Sequence, residues 1–89
     1  MNSQITEDFV ACFQKLPDAV KGQARRNYRL WKSNPYHPSL HFKRVHLTQP
    51  IYSVRIGIGW RVLGLLEGDT ITWFWIGSHA DYDKVLAQL

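Results

Sequence analysis

The hydrophobic period of this chain changes at Ser33-Asn34-Pro35, and the change limits the folds open to it. Before that point, apolar residues recur every three or four positions, the spacing of a helical face. Phe9, Val10, Phe13 and Leu16 make a first stripe, and Val20, Ala24, Tyr28 and Trp31 a second, expected to lie in the core. Thr6 followed by Glu7 and Asp8 reads as a helix start, because carboxylates favour the positive end of the helix dipole. Pro17 separates the stripes; proline lacks the donor a helix interior needs but suits a first turn. A second helix should begin there and end before Pro35, since the residue preceding a proline avoids helical geometry.

After the break the period becomes two. Residues 34–40 read as an extended loop. Residues 41–47 are expected as a strand, with Lys43, Val45 and Leu47 on one face and Phe42, Arg44 and His46 on the other. In residues 51–58, Tyr52, Val54, Ile56 and Ile58 alternate with Ser53, Arg55 and Gly57. Gly57-Ile58-Gly59 is a turn, residues 60–66 a strand, and Glu67-Gly68-Asp69 a hairpin loop. The β-branched and aromatic run at 70–76 is a further strand. A short helix over 80–88 carries Tyr82, Val85 and Leu86. The fold class is therefore α+β: two N-terminal helices, an antiparallel meander sheet of about four strands and a short C-terminal helix, with the helices packed on one face of the sheet. The 89 residues make one domain, 1–89.

Four Trp, four Tyr and four Phe exclude a disordered tail. A single cysteine, Cys12, excludes an intrachain disulfide framework and a Cys-rich zinc site, and suits a reducing, cytoplasmic location. The first residues, MNSQITEDF, lack the basic and apolar regions of a signal peptide. No apolar run approaches the ~18 residues of a membrane span, so no membrane partner is expected.

The charge is unevenly placed. The acids are Glu7, Asp8, Asp18, Glu67, Asp69, Asp81 and Asp83, so residues 19–66 hold none, yet they hold nine Lys and Arg. Such a block implies an anionic partner, nucleic acid or an acidic polypeptide. Part of it, Lys21, Arg25, Arg29 and Lys32, runs as a stripe along the second helix. His37, His41 and His46 lie four and five residues apart without an HExxH helix or a cysteine pair, so ordinary polar contacts are expected of them, with no metal and no cofactor. There is no Walker loop, no GxSxG elbow and no GxGxxG opening a helix.

Arg55 sits among apolar residues on a strand that reads as central, and Arg61 follows on the next strand. Either that face is open to solvent or it meets an anion. In the second case the two guanidiniums form a phosphate cradle, approached past Lys43 and Arg44. His79 and Tyr82, just past the last strand, are the acid–base candidates, Tyr82 being equally suited to anchoring the last helix. The cradle requires Arg55 and Arg61 to share one open surface.

The run over residues 53–86 resembles the RelE/ParE superfamily of small bacterial toxins of type II toxin–antitoxin systems. The matching pieces are Tyr52-Ser53-Val54-Arg55, Trp60-Arg61-Val62, the acidic hairpin Glu67-Gly68-Asp69 and Ile76-Gly77-Ser78-His79, with LHFKRV and two helices upstream. The resemblance covers roughly residues 6–88. It departs from many RelE-like toxins at Ala80, where they carry arginine, and at Tyr82, which lies closer to the terminal histidine. It implies a toxin neutralised by a cognate antitoxin. RelE-like members cleave messenger RNA on the ribosome by attack of the ribose 2′-OH on the adjacent phosphate, without a metal. By that likeness Arg55 and Arg61 bind phosphate, and His79 and Tyr82 exchange protons. Lys43 and Arg44, with Arg25 and Arg29, are the RNA-binding candidates. ParE-like members share the fold but inhibit DNA gyrase; for such a toxin the helical Arg25, Arg29 and Lys32 would matter instead. A third expectation is an inactive toxin-like domain whose basic sheet only docks an antitoxin.

Overall fold

The computed structural model describes residues 1–89. Thr6 starts the first helix, α1 (Glu7–Gln14), its hydroxyl accepting the Phe9 N–H at 3.1 Å. Pro17 precedes α2 (Asp18–Ser33), which ends before Pro35. The strands are β1 (Asn2–Ile5), β2 (Lys43–Arg44), β3 (Ile51–Ile56), β4 (Trp60–Glu67) and β5 (Thr70–Ser78), and α3 (His79–Ala87) closes the chain. The sheet order is β1-β5-β4-β3-β2. β2, β3, β4 and β5 pair antiparallel as expected, and the α+β class holds. The sheet has a fifth strand as well: β1 pairs parallel with β5, Asn2 opposite Thr70. Four residues with one apolar side chain at the end carry no readable alternation, and their pairing depends on the edge that β5 offers.

The expected strand at 41–47 shortens to Lys43–Arg44. Beyond it, Arg44 Nε donates to the carbonyls of His46 and Gln49, both at 3.2 Å, folding the chain into a loop that leaves Leu47 98% exposed. The apolar stripes are also narrower than their periodicity suggests. Val10 is exposed, and Tyr28 is 43% exposed with its hydroxyl 2.7 Å from that of Ser3.

Trp31, at 1% exposure, is the anchor of the face beneath α1 and α2. It meets Trp73 edge-on at 5.1 Å and Phe42 at 5.9 Å, over Val54, Ile56, Val62, Ile71 and Ile76. A bulge aligns β5 with this core: Leu63 pairs with Trp75, but Gly64 pairs with Trp73, so Phe74 is left over. The bulge resets the phase of the strand. Trp73 stays with the main core, while Phe74 and Trp75 join a second cluster of Ile51, Leu63 and Tyr82. That cluster lies on the opposite face, so α3 packs across the sheet from α1 and α2 rather than beside them. The expectation of helices on a single face holds only for the first two.

Gly64 gives Trp73 its place, since a Cβ there would lie 2.6 Å from the indole and 2.8 Å from Ile71. Gly64→Val is expected to cost about 1–3 kcal/mol by overpacking. Gly59→Ala, where a Cβ meets nothing within 4 Å, should stay within about 0.5 kcal/mol. Thermal unfolding of the two variants checks the contrast.

Candidate functional site

The face opposite α1 and α2 is only partly covered by α3, and strand alternation decides what it exposes. Ser53 and Arg55 point to the same side as their cross-strand partners Leu63 and Arg61. Arg55 pairs directly with Arg61, so the two guanidiniums share one surface. Together with His41, Lys43, Ser53, His79 and Tyr82 they line a cleft of about 170 Å³.

The turn between β3 and β4 orients both arginines. Gly57 adopts φ +58°, in the left-handed region open to glycine. The turn's carbonyls then point back at the strands: Arg55 Nε donates to Gly57 O at 2.8 Å, and Arg61 Nη1 donates to Trp60 O at 2.9 Å and Ile58 O at 3.3 Å. These bonds occupy part of each guanidinium fork and leave other N–H groups for a ligand. The turn also positions α3, whose first backbone N–H, from His79, donates to Gly59 O at 2.7 Å. Tyr82, one turn into α3, stacks on the His79 ring with centroids 5.9 Å apart and planes 18° from parallel. The His79 ring is thereby set at the mouth of the cleft. Tyr82 is also buried against Leu63 and Ile51, so it anchors the helix while lining the cleft.

The cleft contains no carboxylate. The ion pairs of the protein are Lys21–Asp18 and His79–Asp83, each at 4.0 Å, and neither involves Arg55, Arg61 or Lys43. Like charges directly opposite one another on paired strands destabilise a sheet. An uncompensated cationic concavity of this kind is matched to an anion, and phosphate oxygens suit a guanidinium fork.

The sequence-predicted residues divide. Arg55, Arg61, Lys43, His79 and Tyr82 come together. Arg44 does not: it alternates away from Lys43 and bonds the loop at 46–49. Arg25 and Arg29 lie on α2, Arg25 over the Phe13 ring at 5.1 Å, and both line a separate hollow of about 480 Å³ between the two N-terminal helices and the sheet. That hollow is larger but mostly apolar, with no histidine or carboxylate in its lining. Sequence reasoning missed His41 and Ser53. Ser53 was legible, since it shares parity with Arg55; His41 was grouped with His37 and His46, from which the structure separates it. No three His, Cys, Asp or Glu side chains converge as a metal site would require.

Comparison with known proteins follows the same outline. A family model for the ParE-like toxin domain matches residues 18–84. The RelB–RelE antitoxin–toxin complex from Methanococcus jannaschii contains a similar chain (TM-score 0.76, 17% identity, 92% of this chain and 96% of that one). YafQ from Escherichia coli BL21(DE3) is similar as well (TM-score 0.73, 10% identity, 91% and 96% covered). So is the isolated Escherichia coli RelE toxin (TM-score 0.67, 13% identity, 99% and 98% covered). At these identities the likeness is one of fold. No curated protein matches the chain by sequence. No helix is long and apolar enough to cross a membrane.

Two outcomes follow from the opposed arginines. Binding of a short single-stranded RNA should weaken with salt, and Arg55→Ala or Arg61→Ala should each lower the log–log slope by roughly 0.7. Arg61→Thr, which removes the like-charge pair, should raise stability by about 0.2–1 kcal/mol in denaturant unfolding while weakening RNA binding.

Proposed function

We propose, from the premise that the chain belongs to the family of ParE-like toxin domains, that this toxin of a toxin–antitoxin pair is a ribosome-dependent mRNA endoribonuclease. The observation that carries the reading is the cleft itself: two opposed guanidiniums free of carboxylates, with acid–base side chains beside them. A gyrase inhibitor needs a binding surface but no proton-transfer groups, so the cleft favours the nuclease.

In the proposed reaction, the ribose 2′-OH attacks the adjacent phosphorus. The O2′–P bond forms, the P–O5′ bond breaks, and the products are a 2′,3′-cyclic phosphate and a 5′-hydroxyl. Arg55 and Arg61 hold the non-bridging oxygens and stabilise the charge that grows on them in the pentavalent transition state. Their carbonyl-anchored geometry is set before substrate arrives, so little reorganisation is required. Lys43 lies at the β2 edge of the cleft, where the RNA backbone would enter. His79 and Tyr82 line the side where proton transfer would occur. The chain's own cations meet the phosphate, so the reaction as drawn uses no metal.

The partner follows from the same charge. A cognate antitoxin would neutralise the toxin by placing an acidic segment over Lys43, Arg55 and Arg61. Solved relatives include RelB–RelE complexes.

Primer extension on mRNA translated in the presence of the protein is expected to show discrete cuts. Arg55→Ala and Arg61→Ala should each reduce cutting by about 10²–10³-fold, with the fold intact by circular dichroism. Full cutting by the double variant, or inhibition of gyrase supercoiling with mRNA left whole, would overturn the reading.

A further inference from the structure

The three clustered histidines of the sequence have three different fates. His37 Nδ1 accepts the Ser39 N–H at 3.2 Å and caps the short 3₁₀ turn Pro38–Leu40. His46 Nδ1 accepts the N–H groups of Thr48 at 3.2 Å and Gln49 at 3.0 Å, closing the loop after β2. Both rings satisfy backbone. His41 does not: its backbone N–H donates to Pro38 O, but its ring reaches into the cationic cleft, with Nε2 3.4 Å from Arg55 Nη1.

Two further features single out His41. Its backbone sits at φ +46°, ψ +43°, the left-handed region that non-glycine residues enter rarely and that recurs at functional sites. That conformation turns the chain from the 3₁₀ turn into β2 and places the ring over β3. The second feature is the character of its neighbour. A guanidinium has only donors, so the Arg55 contact requires His41 Nε2 to present a lone pair. His79, across the cleft, has a different neighbour: its Nε2 is 4.0 Å from the Asp83 carboxylate, an acceptor, where His41 faces a donor.

We propose that His41 is a catalytic residue, the general base of the cleft, with His79 as its general acid; this rests on the ribonuclease reading above. Neutral His41 takes the proton from the 2′-OH as O2′ bonds to phosphorus. Protonated His79 gives its proton to O5′ as the P–O5′ bond breaks. One proton is taken and one is given, so the pair ends in the reverse protonation state and resets through solvent. Tyr82 holds the His79 ring by stacking. The charged and titratable groups facing His41 are Lys43 from β2, Arg55 from β3, Arg61 from β4, and His79 and Tyr82 from α3.

The test uses the full chain on ribosomes carrying an mRNA with sulfur in place of O5′ at the linkage the wild type cuts. A thiolate leaves without needing a proton, so this substrate bypasses a general acid but not a general base. His41→Asn keeps a residue tolerant of left-handed geometry. It should lower the single-turnover rate by about 10²–10⁴-fold on both substrates and remove the rising, low-pH limb of the pH–rate profile. His79→Asn should be slow on the oxygen substrate and restored on the sulfur one. Unfolding temperature and RNA affinity should stay near wild type for both. Rescue of His41→Asn by sulfur, or a rate within about threefold of wild type with the limb retained, overturns the assignment while leaving the nuclease standing. A wild type that cuts nothing overturns both.

Discussion

Two like charges held opposite one another on paired strands are the constraint around which this molecule is arranged. Arg55 and Arg61 repel, and the sheet gives them no carboxylate to offset it. They stay in place because backbone carbonyls of the Gly57–Trp60 turn accept from both guanidiniums. The turn exists because Gly57 can take a positive φ. The same turn, through Gly59, receives the first N–H of α3 and so brings His79 and Tyr82 to the cleft. One tight turn thus sets the two guanidiniums and the neighbouring ring.

The stability to hold such a face comes from the other side of the sheet. Trp31, Trp73 and Phe42 interlock edge-to-face over the aliphatic residues of β3, β4 and β5. Aromatic pairs in this geometry add roughly 0.5–1.5 kcal/mol beyond the area they bury. The bulge at Phe74 lets a single strand serve both sides, sending Trp73 to the main core and Trp75 beneath α3. Gly77, opposite Arg61, lies where a Cβ would come within 2.5 Å of the Trp75 ring, so glycine there leaves room for that indole. The stabilising face and the face that bears the cleft are therefore built from alternate residues of the same strands.

Much of this was legible in the sequence. The change of hydrophobic period at Pro35 separates helices from sheet, Thr6 and Pro17 mark the helix starts, and the two glycine-containing turns bound β4. Alternation alone places Arg55 with Ser53 and away from Val54. The acid-free stretch announces a cationic surface. Less legible was β1, whose pairing is parallel and joins residues at opposite ends of the chain. The extent of β2 was hidden as well, because Arg44 spends its donors on the following loop.

By itself, then, the sequence determined the order of helices and strands and which side of each strand carries charge, because those depend on neighbours within a few residues. The tertiary structure alone decided the register that sets Arg55 against Arg61, the exclusion of Arg25, Arg29 and Arg44 from the cleft, and the separation of His41 from His37 and His46. Each of these depends on contacts between segments far apart in the chain. A period of two tells which face a side chain takes but not what stands across from it.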